Sequence, residues 1–410
     1  MRKFSFLSII WLCIALLIVD VLTFYWLQAI TKPIEIPFFR PIVYTAFWVF
    51  TFGLITSIIT LRATLNSIHP KRKQLFISSL YGLTVTSFFP KIIFVIIISA
   101  LYFSNTFFTE EVSLIVIPLI GVFSGVLPFF VILYGIFLAV YRFKVYTVKL
   151  KFEWLPKKFN HLKIVHISDL HLGSFNYRYQ ILERAVKMIN DLNPDFIFFT
   201  GDLVNNYAWE LKGWDAVFNK LSATKGKFAV LGNHDYGDYS TWKTASLKEA
   251  NFKAILKFYQ KINFKVLLNE ADIYEEENEK IAILGVENWG VPPFKQYGDL
   301  KKALIITKGV SFKILLSHDP THWSEEVVGK ENIALTLSGH THGMQAGIQF
   351  KNKKWSPIKY KYKHWAGLYK FNNQYLYVNR GLGYIGLPGR IMQRPEITVI
   401  VLRNKKISHS

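Results

Sequence analysis

The sequence predicts an all-α membrane region of four transmembrane helices followed by an α/β domain. Four apolar stretches, each near or above the roughly 20 residues that cross a bilayer core, occupy the first 141 residues. From Leu162 onward, short apolar runs alternate with helical segments, and this alternation predicts layers of strands and helices. We therefore expect a transmembrane region (residues 1–141), a basic amphipathic linker (142–160) and an α/β domain (161–404).

The composition agrees with a membrane protein. Of the 410 residues, 51% are hydrophobic and 16% are aromatic, and the mean hydropathy is +0.22, which is more apolar than a typical soluble enzyme. The formal net charge of +21 favours anionic partners such as phosphates, acidic lipids or nucleic acid. The simpler alternative is solubility together with attraction to the inner leaflet. The only cysteine, Cys13, lies in an apolar run and excludes an intrachain disulfide framework.

The apolar stretches are interpreted as retained helices. The first is too long for a cleaved signal peptide and ends without an Ala-x-Ala site. Serine and threonine within the stretches are compatible with helices, because their hydroxyls can bond the helix's own backbone. The predicted spans are Phe4–Ile30, Pro41–Leu61, Leu75–Phe103 and Val112–Tyr141.

The distribution of lysine and arginine predicts the orientation in the membrane. Basic residues flank the N-terminus, the loop between the second and third stretches, and the end of the fourth stretch, whereas the opposite side has only Lys32 and Arg40. Cytoplasmic flanks carry the excess of basic residues. We therefore expect a multi-pass cell (inner) membrane protein whose N-terminus and α/β domain are both cytoplasmic.

Lys91 follows Pro90 inside the third apolar stretch, where a charge is costly. One interpretation is a functional path through the membrane. The alternative is that the helix kinks at Pro90 and that Lys91 either reaches the interface or meets a neighbouring helix.

The linker and the α/β domain are assigned from local patterning. Aromatic residues interleave with lysines in the linker, as at a membrane interface, although part of it could already be the first strand. Predicted helices are Tyr179–Leu192 and Trp242–Gln260. Predicted strands are Lys163–Ser168, Phe196–Thr200, Phe228–Leu231, Ile281–Leu284, Phe312–Ser317, Ala334–Ser338, Gln374–Asn379 and Glu396–Leu402.

Polar clusters follow five of these strands directly. They are Asp169-Leu170-His171, Gly201-Asp202, Gly232-Asn233-His234-Asp235, His318 and Gly339-His340-Thr341-His342. Sites in α/β sheets form at the carboxyl ends of strands, so five loops would deliver these side chains to one edge. Such a set of carboxylates, imidazoles and one amide can hold two divalent metals, and adjacent metals are typical of phosphoester hydrolysis. Oxygen and imidazole donors suit Mn²⁺, Fe or Zn²⁺ and do not choose among them. Mn²⁺ is our first expectation.

The five clusters, in this order, resemble the D-x-H, G-D, G-N-H-D/E, H and G-H-x-H pattern of the calcineurin-like metallophosphoesterase superfamily. Gly339–Gln345 and the segment Asn379–Ile397 are similar to its bacterial membrane-associated branch, although Met344 replaces a glycine. That branch includes phosphodiesterases and enzymes that cleave the pyrophosphate of UDP-2,3-diacylglucosamine. The resemblance implies a four-layer α/β/β/α sandwich. The four-helix region departs from the single anchor or export signal of such enzymes.

The resemblance also implies roles for individual residues. Asp169, His171 and His342 would bind one metal, Asn233, His318 and His340 the other, and Asp202 both. A hydroxide shared by the metals would attack phosphorus. His234 is expected to be the general acid, and Asp235 would either orient the His234 ring or fix the loop.

Two arginines and one segment each allow two interpretations. Arg380 and Arg390 could bind a second phosphate or a nucleotide, or could be ordinary surface charges. Residues 351–370 interleave lysines with aromatic residues and would form either a hairpin on anionic headgroups or strands with a solvated lysine face.

The resulting prediction is a membrane-anchored, two-metal phosphoesterase acting on a phosphodiester or pyrophosphate, with a lipid-linked molecule such as UDP-2,3-diacylglucosamine as the sharpest candidate. Nucleic acid is not expected as a partner. Two alternatives are a phosphodiesterase for a soluble nucleotide and a membrane sensor or transport module regulated by the phosphoesterase domain.

Overall fold

The computed structural model describes residues 6–65, 67–104, 110–350 and 353–407. The chain divides into two compact units. The first is drawn from Met1–Leu138 and Gly386–Ile391, and the second from Ala139–Ile385 and Met392–Ser410.

Four long helices form the first unit. Each is long and apolar enough to cross a membrane. In three of the four apolar windows only 17% of the residues are buried within the protein, so most of their apolar surface faces outward, as lipid contact requires. These helices confirm the expected N-terminal region of four apolar helices. Their bounds are α1 (Phe6–Thr31), α2 (Phe39–Thr64), α3 (Pro70–Phe103) and α4 (Glu110–Phe137).

Lys91 is paired with a carboxylate inside the helix bundle. Its Nζ lies 2.6 Å from Oδ1 of Asp20 on α1, and Thr51 on α2 donates a 2.6 Å hydrogen bond to Oδ2 of the same carboxylate. The ammonium also lies 4.7 Å from the ring centroid of Phe47. The structure therefore shows Lys91 in contact with a neighbouring helix, as in the second interpretation. The polar cluster of Asp20, Thr51 and Lys91 joins α1, α2 and α3.

Removing one member of the Asp20–Lys91 pair should destabilise the protein more than removing both. A single partner left behind is an uncompensated buried charge, which costs about 3–5 kcal/mol, whereas an uncharged pair avoids that cost. We expect Asp20→Asn or Lys91→Met alone to lower the yield and melting temperature of the full-length protein in detergent. The double variant should recover most of the loss. Arg72→Met, which removes an exposed cation at the start of α3, is the control; additive effects in the double variant would contradict the pairing.

The segment Gly386–Ile391 belongs to the helical unit, although the sequence placed it in the α/β domain. Ser78 donates a 3.0 Å hydrogen bond to the carbonyl of Gly386, and the amide of Arg390 donates one of 3.0 Å to the carbonyl of Gly135. A Cβ on Gly135 would lie 2.8 Å from that arginine's carbonyl oxygen, so only glycine permits this close approach. Sequence patterning cannot detect such packing, because the segment itself is a short glycine-rich loop.

Two six-stranded sheets form the second unit. The strands of this unit are β1 (Lys144–Phe152), β2 (Lys163–Ile167), β3 (Phe196–Phe199), β4 (Gly226–Ala229), β5 (Lys265–Val266), β6 (Glu270–Glu276), β7 (Glu279–Gly285), β8 (Phe312–Leu316), β9 (Leu335–Ser338), β10 (Ile348–Phe350), β11 (Lys353–Trp355), β12 (Gly367–Phe371), β13 (Gln374–Val378) and β14 (Glu396–Asn404). The first sheet has the order β1-β14-β2-β3-β4-β5, in which β2 to β5 are parallel. The second sheet has the order β12-β13-β9-β8-β7-β6, in which β13, β9, β8 and β7 are parallel. Strands β10 and β11 form a separate antiparallel pair.

The sheets pack face to face with helices outside, which confirms the expected α/β/β/α layering. Their shared core includes Phe196 and Phe198 from the first sheet and Ile283 and Ile314 from the second. The helices are α5 (Tyr179–Asn190), α6 (Asp215–Phe218), α7 (Ala245–Lys261) and α8 (Leu300–Leu304). A second core lies between the first sheet and the helices α5 and α7. A third core lies between the outer face of the second sheet and α8.

The stretch expected as a linker is largely a strand. Residues Lys144–Phe152 form β1 and pair in parallel with all nine residues of β14. Leu150 and Phe152 lie in the core between the sheets, while Lys149 and Lys151, which alternate with them, are exposed. The alternation that suggested a membrane-interface segment is therefore that of a half-buried edge strand.

Candidate metal centre

The polar clusters lie at the carboxyl ends of adjacent strands, as expected. Asp169 and His171 follow β2, Asp202 follows β3, and Asn233 follows β4. In the second sheet, His318 follows β8, and His340 and His342 follow β9. Five of these residues have left-handed backbone conformations, with φ between 46° and 70°: Asp169, His171, Asp202, His340 and His342. Such strain in non-glycine residues concentrates at functional sites.

Two glycines allow the ligand loops to approach one another. A Cβ on Gly232 would lie 2.2 Å from Oδ1 of Asp202, and one on Gly339 would lie 1.9 Å from Oγ of Ser168. Any other residue at these positions would push the loops apart.

Six buried or nearly buried side chains converge into two groups that share one carboxylate. Asp169, His171, Asp202 and His342 form one group, and Asp202, His318 and His340 form the other, with the ligand atoms of each group within 4.8 Å of one another. Oδ2 of Asp202 lies 3.5 Å from Nε2 of His171 and 3.2 Å from Nε2 of His318. Asp202 thus lies where the two groups meet.

The donor set fits divalent metals. In the part of the chain that the structure describes, only histidines form ion pairs with the buried Asp169 and Asp202, and no lysine or arginine does so. Asn233 donates through Nδ2 to Tyr239 at 2.8 Å, while its buried Oδ1 has no hydrogen-bond partner among the described residues. Buried carboxylates and an unsatisfied amide oxygen are costly unless a cation completes the site.

The electrostatics of the cluster favour charged carboxylates. Burial opposes ionisation of Asp202, but the field of His318 holds the pKa of that carboxyl well below its ordinary value. Burial likewise opposes the charge of His318, and the Asp202 carboxylate nevertheless raises the pKa of that imidazole to about 10. Burial lowers the pKa of His340 to about 4, which keeps this ring neutral and able to act as a ligand.

His234 is held so that one ring nitrogen remains available. Its Nδ1 lies 2.7 Å from the carbonyl oxygen of Asn205; since a carbonyl only accepts, Nδ1 carries the proton. Its backbone amide donates to Oδ1 of Asp202 at 2.9 Å. The buried Glu210 fixes the Asn205 loop by accepting from the backbone amides of Asn205, Asn206 and Tyr207.

The converging side chains open into a cavity of about 200 Å³. Its lining is Asp202, Asn233, His234, Phe294, His340, Thr341, His342, Ile358, Lys361, Tyr362 and Ile385. The cavity thus joins the polar cluster to an apolar wall and one lysine.

Comparisons with known proteins agree with this geometry. Residues 162–344 match the family model described as calcineurin-like phosphoesterase, and residues 2–139 match that of the probable calcineurin-like phosphoesterase transmembrane domain. The chain is 32% identical over 261 residues to the Bacillus subtilis uncharacterized metallophosphoesterase YkuE, covering 62% of this chain and 84% of that protein. The chain belongs to the calcineurin-like phosphoesterase family.

Further relatives include membrane proteins. A Danio rerio transmembrane protein with metallophosphoesterase domain is 32% identical over 278 residues, which span 66% of this chain and 60% of that protein. The Escherichia coli phosphodiesterase YaeI is 28% identical over 246 residues, which span 58% of this chain and 82% of that protein. The relatives and the four apolar helices support the membrane-associated branch, so this phosphoesterase is a membrane-anchored hydrolase with a candidate metal site.

In this phosphoesterase, Asp235 binds the backbone of the ligand loops. The fully buried carboxylate accepts hydrogen bonds from the backbone amides of Gly232, Asp202, Leu203 and Val204 at 2.9 to 3.3 Å. Burial, reinforced by the Asp202 charge, raises the pKa of Asp235 to about 7. This geometry fits the loop-fixing alternative rather than orientation of the His234 ring, which bonds Asn205 instead.

Neither of the two arginines lines the cavity of the phosphoesterase. Arg380 is buried, with Nη1 2.5 Å from Oε2 of Glu396 and Nη2 3.0 Å from Oε1 of Gln349. Arg390 is fully buried in the helical unit. The role of these arginines in binding a second phosphate stays a prediction, and their burial away from the cavity lining does not favour it.

Several cavity residues of the phosphoesterase were missed by sequence reasoning. The Tyr362 hydroxyl lies 2.8 Å from Nε2 of His340, and Phe294 packs edge-on against the same imidazole at 5.0 Å. Tyr362 lies in the lysine- and aromatic-rich segment 351–370, for which one sequence-based interpretation is a hairpin on anionic headgroups beside the site, without a role for Tyr362 itself. Phe294 lies in a loop with no motif, so no sequence signal could have identified it.

Proposed function

We propose that this phosphoesterase uses two divalent metal ions, with Mn²⁺ preferred, to hydrolyse a phosphodiester or pyrophosphate bond in a lipid-linked substrate. The observation that carries the proposal is the pair of ligand groups sharing Asp202. Asp169, His171 and His342 would hold one ion, and Asn233, His318 and His340 the other. When bound, the ions supply Lewis-acid activation of water and offset the growing negative charge on the phosphoryl group.

The chain's own residues would position and protonate the substrate. The phosphoryl group would lie in the cavity between the Asp202 cluster and Tyr362, where burial strengthens each polar contact. Nε2 of doubly protonated His234 would deliver a proton to the leaving oxygen, while Nδ1 donates to the Asn205 carbonyl. Burial lowers the pKa of this imidazole, which makes its charged form a stronger acid.

The four apolar helices and the apolar cavity wall motivate a substrate whose lipid tail stays in the bilayer. Phe294, Ile358 and Ile385 line the cavity beside the metal-type cluster. A UDP-2,3-diacylglucosamine-like molecule combines a pyrophosphate with such a tail. The basic flanks of the helices favour a cytoplasmic catalytic unit. A reporter that is active only after export, fused after Ser410, should then stay inactive.

A matched substrate pair tests the lipid link. We expect full-length protein in vesicles with Mn²⁺ to hydrolyse UDP-2,3-diacylglucosamine at least about tenfold faster than UDP-glucose. UDP-glucose has the same pyrophosphate linkage but no acyl chains. A tenfold ratio of rates corresponds to about 1.4 kcal/mol. The full chain is required because deletion of residues 1–150 would remove most of β1. Equal or faster hydrolysis of the soluble compound would contradict the lipid link and favour the soluble-nucleotide alternative.

A further inference from the structure

Lys361 places a cation in the wall of the cavity. It follows a short helical turn, Pro357–Tyr360, and lines the same cavity as Asp202, His234 and His340. Its Nζ lies 5.3 Å from the ring centroid of Phe294 and 5.0 Å from that of Tyr362.

The two aromatic rings also contact His340. The imidazole centroid lies 5.0 Å from that of Phe294 and 5.4 Å from that of Tyr362, both edge-on. The lysine ammonium and the His340 imidazole therefore share two aromatic neighbours. Lys361 is also the only lysine or arginine among the residues that line this cavity.

No carboxylate among the described residues neutralises Lys361. No ion pair or side-chain hydrogen bond joins it to another described residue, whereas Lys248 and Lys295 both pair with Asp238. Lys361 is an exposed residue of the cavity lining, which also includes the apolar Phe294 and Ile358. Its ammonium is therefore accessible to an anion that enters the cavity.

We propose that Lys361 binds a second phosphoryl group, next to the one held at the metal centre. Lysine is an effective point-charge partner for phosphate, and the metal-type cluster already accounts for the reacting group. This role rests on the proposed phosphoesterase site and deepens it, because it makes diphosphate-linked compounds better ligands than those with a single phosphorus. Arg380, expected from sequence to do this, is already paired with Glu396.

Competition between UDP and UMP tests the role of Lys361. Both share the nucleoside, and only UDP carries a second phosphate. With free Mn²⁺ held constant, each is titrated as an inhibitor of bis-p-nitrophenyl phosphate hydrolysis by the full-length protein. We expect the wild type to prefer UDP and Lys361→Met to reduce that preference about tenfold, the lower end of a charge-assisted hydrogen bond.

Two further variants separate a specific site from general surface charge. Lys363→Met removes an exposed lysine two positions away that does not line the cavity, and it should leave the UDP preference unchanged. Lys361→Arg retains the charge and should retain most of the preference. An unchanged ratio in Lys361→Met, or an equal loss in Lys363→Met or Lys361→Arg, would overturn the proposal. Failure to hydrolyse the lipid substrate, with the UDP preference intact, would contradict the proposed substrate and support Lys361.

Discussion

Replacing Asp202 with asparagine should lower kcat for bis-p-nitrophenyl phosphate by about 10³-fold or more, which corresponds to about 4 kcal/mol of transition-state stabilisation. Asp202 is the only carboxylate that both ligand groups share within the described residues. An asparagine keeps one oxygen but loses the negative charge, so both metal positions would be weakened together. No other single substitution in the cluster has this double effect.

The substitution should leave the fold intact. Oδ1 of Asp202 accepts from the backbone amide of His234, and an asparagine oxygen can accept the same bond. We therefore expect a native circular dichroism spectrum in the absence of metal, with a melting temperature lowered by the loss of the buried ion pair with His318. Elemental analysis should find fewer bound metal ions per chain.

Asp299→Asn is the matched control. This exposed aspartate caps α8 by accepting from the amide of Lys302, and asparagine caps helices about as well as aspartate. The control should keep wild-type activity and metal content. Full activity in Asp202→Asn would contradict the two-metal proposal.

The polar clusters at the strand ends could be predicted because each depends on residues that are adjacent in the sequence. A ligand loop here needs a buried strand, a turn that allows close approach and a polar side chain, and all three are adjacent in sequence at Phe196–Asp202 and Ala334–His342. Parallel pairing then brings the ends of such strands to one edge. The structure accordingly brings the predicted ligands together.

Features that depend on distant partners could not be predicted. Lys91 had an identifiable charge, but its partner Asp20 lies 71 positions away on another helix. The lysines of β1 alternated with aromatic residues in a way that suits either an interface segment or an edge strand, and only β14, far along the chain, decides between them. Sequence periodicity shows which face is apolar but does not identify what covers it.

Replacing His234 with glutamine should slow the reaction by an amount that depends on the leaving group. A general acid contributes about 10²–10⁴-fold when the departing oxygen needs a proton. We expect a loss of that order for a diphosphate substrate with a poor leaving group. The loss should be much smaller for bis-p-nitrophenyl phosphate, because p-nitrophenolate is stable without protonation.

The local structure supports this separation of effects. The His234 ring contacts Tyr239 and His171, and its Nδ1 bonds the Asn205 carbonyl, so Nε2 is the nitrogen left for the cavity. Glutamine can preserve part of the contact with the Asn205 carbonyl through its amide, but it cannot release a proton at neutral pH. His161→Gln, at an exposed position outside the cavity lining, should change neither rate.

The ratio of the two rate losses is the decisive measurement. A general acid predicts a ratio well above one, measured as kcat on each substrate at saturating Mn²⁺. An equal loss on both substrates would instead assign His234 to binding the phosphoryl group or supporting Asp202, since its backbone amide already donates to that carboxylate. Because the second substrate needs no acid, this comparison tests the proton transfer separately from the metal centre on which both reactions depend.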